Sequence, residues 1–142
     1  MAGSRRNPMV VTHEGGLKFA AQIGRHRLIV DQPEYTGGED AGPAPIQLLG
    51  ASLGTCVALY VQQFCQARNL PCEGMRVELL QHGAQHPNRI GQFSVRVVLP
   101  EALPPQYAEM LERVARSCPA HNTLAHGAGI ELEIAVEAEA SV

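Results

Sequence analysis

Tryptophan is absent from the 142 residues, and three phenylalanines and three tyrosines are the whole aromatic complement, so nucleic-acid bases would find few stacking platforms. Basic residues are sparse as well. The 11 Lys and Arg are spread along the chain and leave a net charge of -3, without the clustered cations that neutralise phosphates. Nucleic acid is therefore not an expected partner. No window of 18 or more residues is free enough of polar interruption to be expected to span a bilayer. The opening "MAGSRRNPMVV" carries a twin arginine, Arg5 and Arg6, but the following "THEGGLKF" is too polar for the apolar core of an export signal. A cytoplasmic protein is expected, with no membrane partner. No internal repeat is present.

What the chain does have is a globular balance, 45% apolar and 18% charged, with 14 Gly and 10 Pro scattered as punctuation. At this length one sizeable core is affordable, and residues 1–142 are expected to form a single domain. Residues 9–13 ("MVVTH") and 17–23 ("LKFAAQI") flank Glu14-Gly15-Gly16 as a hairpin, with "HRLIVD" at 26–31 as a third strand. The Gly-, Pro- and acid-rich stretch 32–45 is a loop whose Pro45 suits the first position of a helix.

From Ile46 the residues Leu49, Leu53, Cys56, Val57, Tyr60, Val61 and Phe64 follow helical spacing, and Leu48, Ala51 and Leu59 fill much of the opposite side. The helix should end near Arg68 to Leu70, after about 23 residues or roughly 35 Å. One small domain would hardly cover such a rod. Gly50 and Gly54, one turn apart, weaken it but permit close approach, which packing against a second helix would exploit. After Pro71, "MRVELLQ" and "QFSVRVVL" alternate as an antiparallel pair. Pro104 and Pro105 open a second helix stopping near Cys118-Pro119, and "IELEIAVE" (130–137) reads as a last strand. The order βββ-α-ββ-α-β lacks a regular βαβ alternation, so the fold class is α+β, with an antiparallel sheet packed on a long central helix.

Four cysteines in a reducing compartment are not expected to build a disulfide framework. Cys56 sits mid-helix, where the helix dipole gives a thiolate little help. It is either a packed, inert thiol or one activated by a nearby cation, for which Arg25, His26 and Arg27 are the candidates. Cys118, in "SCPAHNTL", can cap a following short helix with Pro119 at its first position; exposed N–H groups there favour an anion, making it the better low-pKa thiol or else an ordinary cap. Cys65 faces away from Cys56, two and a half turns on, so those two cannot bond; Cys65 and Cys72 are assigned to packing. A zinc site from Cys118, His121 and His126 with His82 or His86 has the right chemistry, but its spacing matches no zinc pattern.

Two motifs converge: "GGEDAGPAPIQLLGASLGTC" opening the long helix, and, about sixty residues on, "CPAHNTL". Together they resemble the OsmC/Ohr superfamily, in its OsmC-like branch, over nearly the whole chain. The resemblance implies an intertwined homodimer with each active site at the subunit interface, and a thiol-dependent reductase of organic hydroperoxides without a cofactor. It makes Cys56 the peroxidatic cysteine, oxidised to a sulfenic acid that condenses with Cys118, the resolving cysteine. A dithiol reductant, lipoyl-type or a small thiol, then reopens the disulfide. The Ohr branch polarises its thiol with an Arg and a Glu, the Glu immediately after the turn's proline. That position is Ile46 here and the next is Gln47, a neutral amide that hydrogen-bonds but cannot hold an arginine electrostatically. A dimer that keeps the scaffold and binds a small apolar ligand, with little or no turnover, is the alternative.

Overall fold

The computed structural model describes residues 8–137, so the twin arginine lies outside the described residues. Strands β1 (Val10–Gly15), β2 (Lys18–Ile23) and β3 (His26–Val30) form an antiparallel sheet in chain order. Phe19 pairs with His13 on one side and Val30 on the other. The first turn depends on Gly15 and Gly16, both at positive φ (106° and 55°), where a side chain would be strained. Most of this sheet's side chains stay exposed, and its extensive packing is among its own strands.

The crossing to the first helix is organised by a buried carboxylate. Asp31 accepts backbone N–H bonds from Gln32 (2.7 Å), Glu39 (3.1 Å) and Ala41 (3.1 Å). These bonds hold its pKa below the usual aspartate value, the Gln32 bond contributing most, with Lys18 assisting electrostatically.

Helix α1 spans Pro45–Ala67 with Pro45 at its first turn, as the sequence predicts. Leu53, Val57, Val61, Phe64 and Cys65 recur at helical spacing on its buried stripe, where each large apolar side chain contributes about 1.5–3 kcal/mol. By length and composition alone α1 could cross a membrane, contrary to the expectation that no window would qualify. A third of that stretch is buried where α1 packs on the strands and helices that follow, while Ile46, Leu49 and Leu59 stay exposed. Gly50 lets α1 lie close against the second sheet: a Cβ there would collide with Gln81 and come within 2.9 Å of Leu79 Cδ2, whereas one at Gly54 would meet only ordinary contacts.

The assignment of Cys65 and Cys72 to packing is overturned, because the two form a disulfide, with Cα atoms 6.2 Å apart. The chain doubles back after α1: the Leu70 N–H bonds the Cys65 carbonyl at 2.9 Å, and Asn69 takes the left-handed conformation (φ 52°) common just past a helix. That reversal brings Cys72 to Cys65.

Strands β4 (Arg76–Ala84) and β5 (Arg89–Val98) form an antiparallel pair, with Val77 opposite Val97, Leu79 opposite Val95 and Gln81 opposite Phe93. Val77, Leu79 and Gln81 are the half-buried face that β4 turns to α1. A single turn, Pro105–Tyr107, leads into α2 (Ala108–Arg116). Tyr107 packs edge-on to Phe64 at 6.1 Å, and α3 (Pro119–His126) follows directly. The architecture is α+β as expected, with two corrections. The antiparallel strands form two separate sheets. The predicted last strand, 130–137, pairs with nothing among the described residues, and Ile130, Leu132, Ile134 and Val136 are each more than 80% exposed. An alternating strand needs a free sheet edge to pair with, and this segment occupies none within the chain.

Candidate active site

The site is built where α1 meets the start of α3. Cys118 is the N-cap of α3: its φ and ψ (-67° and 144°) are extended, and its Sγ accepts the His121 N–H at 3.2 Å. A thiol here does what Ser or Asp does at other helix starts. Pro119 supplies the fixed φ of the first helical position. The Cys118 side chain is fully buried in the cluster formed by Leu53, Val57, Val61 and Phe64 of α1.

Cys56 is half-buried, packs against the same cluster, and is near enough to Cys118 to raise its pKa. Both thiols are free, and residues 62 positions apart in the chain thus face one another. The expectation of a lowered pKa at Cys118 is not met. Burial pushes its pKa up; the His121 N–H opposes this, and the neighbouring Cys56 adds to it. Desolvation in the core outweighs the helix terminus.

The candidate activating residues do not gather around Cys56 within one chain. Arg27 is paired across the first sheet with Glu14 at 2.7 Å. Arg25 and His26 are exposed at the β2–β3 turn, on a sheet that has no extensive packing with α1. Gln47 spends its side-chain oxygen on the Ala44 N–H at 2.9 Å, capping α1 nine residues before Cys56. Nor do the zinc candidates converge. His82 bonds Ser94 Oγ at 2.9 Å, His86 and His126 are exposed, and among the described residues no group of three or more His, Cys, Asp or Glu side chains is arranged to hold a metal.

Two apolar cavities flank the site. One, about 500 Å³, opens between α1, β5 and α2, with Leu53, Val57 and Val97 in its wall and the Glu112–Arg116 ion pair among its polar lining. The other, about 530 Å³, is walled by Ile46, Leu49, Ile90 and Leu124. Leu53, Phe93, Val95 and His121 belong to both. Neither thiol lines a cavity itself, but Leu53 and Val57, which pack with Cys118 and lie on either side of Cys56 along α1, line the first, so an organic group would sit one side chain away from the thiols. Sequence reasoning considered His121 only as a metal ligand and passed over Arg116. The signal for His121 was its place inside the second motif, three residues after the capping cysteine.

The fold is found elsewhere. No curated protein matches the chain. A solved structure from Psychrobacter arcticus, named for osmotic stress induction and detoxification response, is 19% identical, with 87% of this chain and 91% of that chain covered and a TM-score of 0.77. An organic hydroperoxide resistance protein OsmC from Legionella pneumophila is 20% identical, covering 85% and 91%, TM-score 0.53. A Vibrio cholerae structure named for organic hydroperoxide resistance, with captopril bound in one of its active sites, is 19% identical, covering 87% and 88%, TM-score 0.56. These likenesses establish the shared fold. The family model for OsmC-like proteins matches residues 37–133, a span that contains α1, the β4–β5 pair and both facing thiols, and the chain belongs to the OsmC-like protein family.

Proposed function

We propose that the protein is a thiol-dependent peroxidase that reduces organic hydroperoxides, with Cys56 as nucleophile and Cys118 as resolving thiol. The observation that carries this reading is the adjacency of two free thiols beside apolar cavities. The Cys56 thiolate attacks the terminal oxygen of ROOH; the O–O bond breaks, the alkoxide takes a proton and leaves as ROH, and Cys56 becomes a sulfenic acid. The Cys118 sulfur then attacks Cys56, forming the disulfide and releasing water. A dithiol, lipoyl-type or a small thiol, returns both cysteines to thiols and is itself oxidised. Half-exposure suits Cys56 to meet the oxidant, and burial with a raised pKa suits Cys118 to wait as a thiol. Names given to structural relatives for hydroperoxide resistance agree with this substrate class.

The working form in this reading is a homodimer in the cytoplasm. The apolar residues of 130–136 are exposed, and so are Met9, Val11, Leu59 and Leu80, more apolar surface than an isolated chain of this size leaves bare without use. A groove along Gly50, Ala51, Gly54 and Ala58 of α1 would receive a second copy's helix. A partner's first sheet would then bring Arg25, His26 or Arg27 to Cys56, since among the described residues these do not gather around it within one chain. Measuring loss of cumene hydroperoxide with dihydrolipoamide tests the reading: rapid turnover that vanishes in Cys56→Ser supports it, and equal, slow rates in both proteins overturn it.

A second reading is an apolar-ligand-binding dimer without peroxidase turnover, favoured by Gln47 being occupied as a helix cap and by Arg27 being paired with Glu14. Native mass spectrometry would then find an apolar ligand bound while both thiols stay reduced after peroxide treatment.

A further inference from the structure

The imidazole of His121 has no assigned task, yet its position is costly. Its Nδ1 is buried and has no hydrogen-bond partner, and a buried polar atom left unpaired costs stability unless a ligand or water meets it. His121 is also the residue whose backbone N–H bonds Cys118 Sγ, so its side chain leaves the chain beside the thiol pair. That side chain is in the shared wall of the two apolar cavities, together with Leu53, Phe93 and Val95. Apart from His121 the shared residues are apolar, while Glu112 and Arg116 line one cavity elsewhere and Asn88, Arg89 and Gln92 the other, so the shared wall suits a ligand whose organic body lies on Leu53, Phe93 and Val95 with a polar end at the imidazole.

We propose that His121 is a catalytic residue that receives the hydroperoxide group, hydrogen-bonding the peroxide through Nδ1 while its organic body fills the adjoining cavities. This rests on the peroxidase reading. Nδ1 accepts the hydrogen bond of the terminal O–H. As the Cys56 thiolate bonds to that oxygen and the O–O bond breaks, the proton passes through Nδ1 to the departing alkoxide. The products are Cys56 sulfenate and ROH, with no co-reactant beyond the hydroperoxide itself. The site would then discriminate organic hydroperoxides from hydrogen peroxide, because only the former has a body to hold the O–O group against Nδ1.

The geometry gives a selective test. Asparagine carries its amide near the Nδ1 position of histidine and glutamine near Nε2, whereas phenylalanine keeps the ring and removes both nitrogens. In the full-length protein, His121→Phe is expected to lower kcat/KM for cumene hydroperoxide about tenfold or more, the loss of a substrate hydrogen bond. His121→Asn should recover more of the activity than His121→Gln, and the preference for cumene hydroperoxide over hydrogen peroxide should shrink in His121→Phe. Independently of turnover, cumyl alcohol added to Cys56→Ser should shift the 15N resonance of His121 Nδ1. Activity that disappears in Cys56→Ser but is unchanged in His121→Phe, with no shift of that resonance, overturns the proposal and leaves the peroxidase reading standing. A shift in a protein without peroxidase activity supports the ligand contact and removes the reaction.

Discussion

Helix α1 contributes one cysteine to each of two sulfur pairs, and the pairs differ in every property that governs thiol chemistry. Midway along the helix, half-buried Cys56 faces buried Cys118, both free, beside cavities that could take an organic molecule. Near the helix end, buried Cys65 is bonded to Cys72, seven residues on, across a tight reversal of the chain. Both pairs touch one apolar cluster, so burial in a greasy environment does not decide which sulfur reacts. The chain's route decides. A short loop returning on itself makes a staple, while a long excursion through β4, β5 and α2 that ends in a helix cap makes a free, buried partner for the half-exposed Cys56.

The largest break in this contrast is expected at Cys56. Its replacement by Ser should lower peroxide turnover on the order of a thousandfold or more, as loss of a nucleophile does, while Cys65→Ser with Cys72→Ser leaves turnover unchanged. Peroxide consumption under a dithiol reductant measures both. A comparable loss in the second variant would show that the bonded pair carries electrons. Next in size is Cys118→Ser. Cys56 should still be oxidised once, but without a resolving thiol it should progress to sulfinic acid and turnover should stall, visible as a mass gain of two oxygens on the Cys56 peptide.

The bonded pair should matter to stability instead. A loop spanning seven positions, closed by a disulfide, contributes about 2–3 kcal/mol in the chain-entropy account. Replacing both cysteines by Ser should therefore lower the Tm by roughly 5–10 °C. If Cys56→Ser and Cys118→Ser together lower it as much, the distinction between staple and reactive pair fails.

Much of this arrangement was legible in the sequence. Pro45 marked the start of α1 and its apolar spacing marked the buried stripe. The Gly15-Gly16 pair marked a hairpin, and the Cys118-Pro119 step marked the cap of α3. What escaped was set by the chain's path rather than by local pattern. Compartment logic discouraged any disulfide, although Asn69 before Leu70 and Pro71 was a sign of the reversal that joins Cys65 to Cys72. The motif put a cysteine at a helix terminus and suggested an acidic thiol, but desolvation of Cys118 depends on α1 packing over it. Arg25, His26 and Arg27 were near α1 in sequence and are not near Cys56 in the chain's own fold. Segment 130–137 had the alternation of a strand but joins no sheet edge among the described residues.

Asp31 extends the comparison to the loop before α1. Its pKa is lowered, first by the Gln32 N–H bond, so the ionised form is the one that folding favours. The contribution is fully present above the unfolded aspartate pKa and is lost as pH falls through the lower folded value. The Tm gap between wild type and Asp31→Asn should therefore stay constant from neutral pH down to about pH 4 and close on further acidification. A gap that is unchanged at pH 2 would mean the side chain's shape, not its charge, holds the loop.

The smallest effect is expected in the first sheet. Arg27 and Glu14 meet at 2.7 Å, but their side chains are 54% and 34% exposed, so solvent screens the attraction and ordering two long side chains offsets part of it. A double-mutant cycle with Arg27→Ala and Glu14→Ala should return a coupling of about 0.2–1 kcal/mol, falling further in high salt. The activity of the same variants separates two uses of the arginine. If Arg27 only ties β3 to β1, both single variants turn over peroxide at the wild-type rate. If a partner subunit's sheet brings its arginine to Cys56, Arg27→Ala loses turnover far beyond what so weak an ion pair could explain, and Glu14→Ala, which frees the guanidinium, does not.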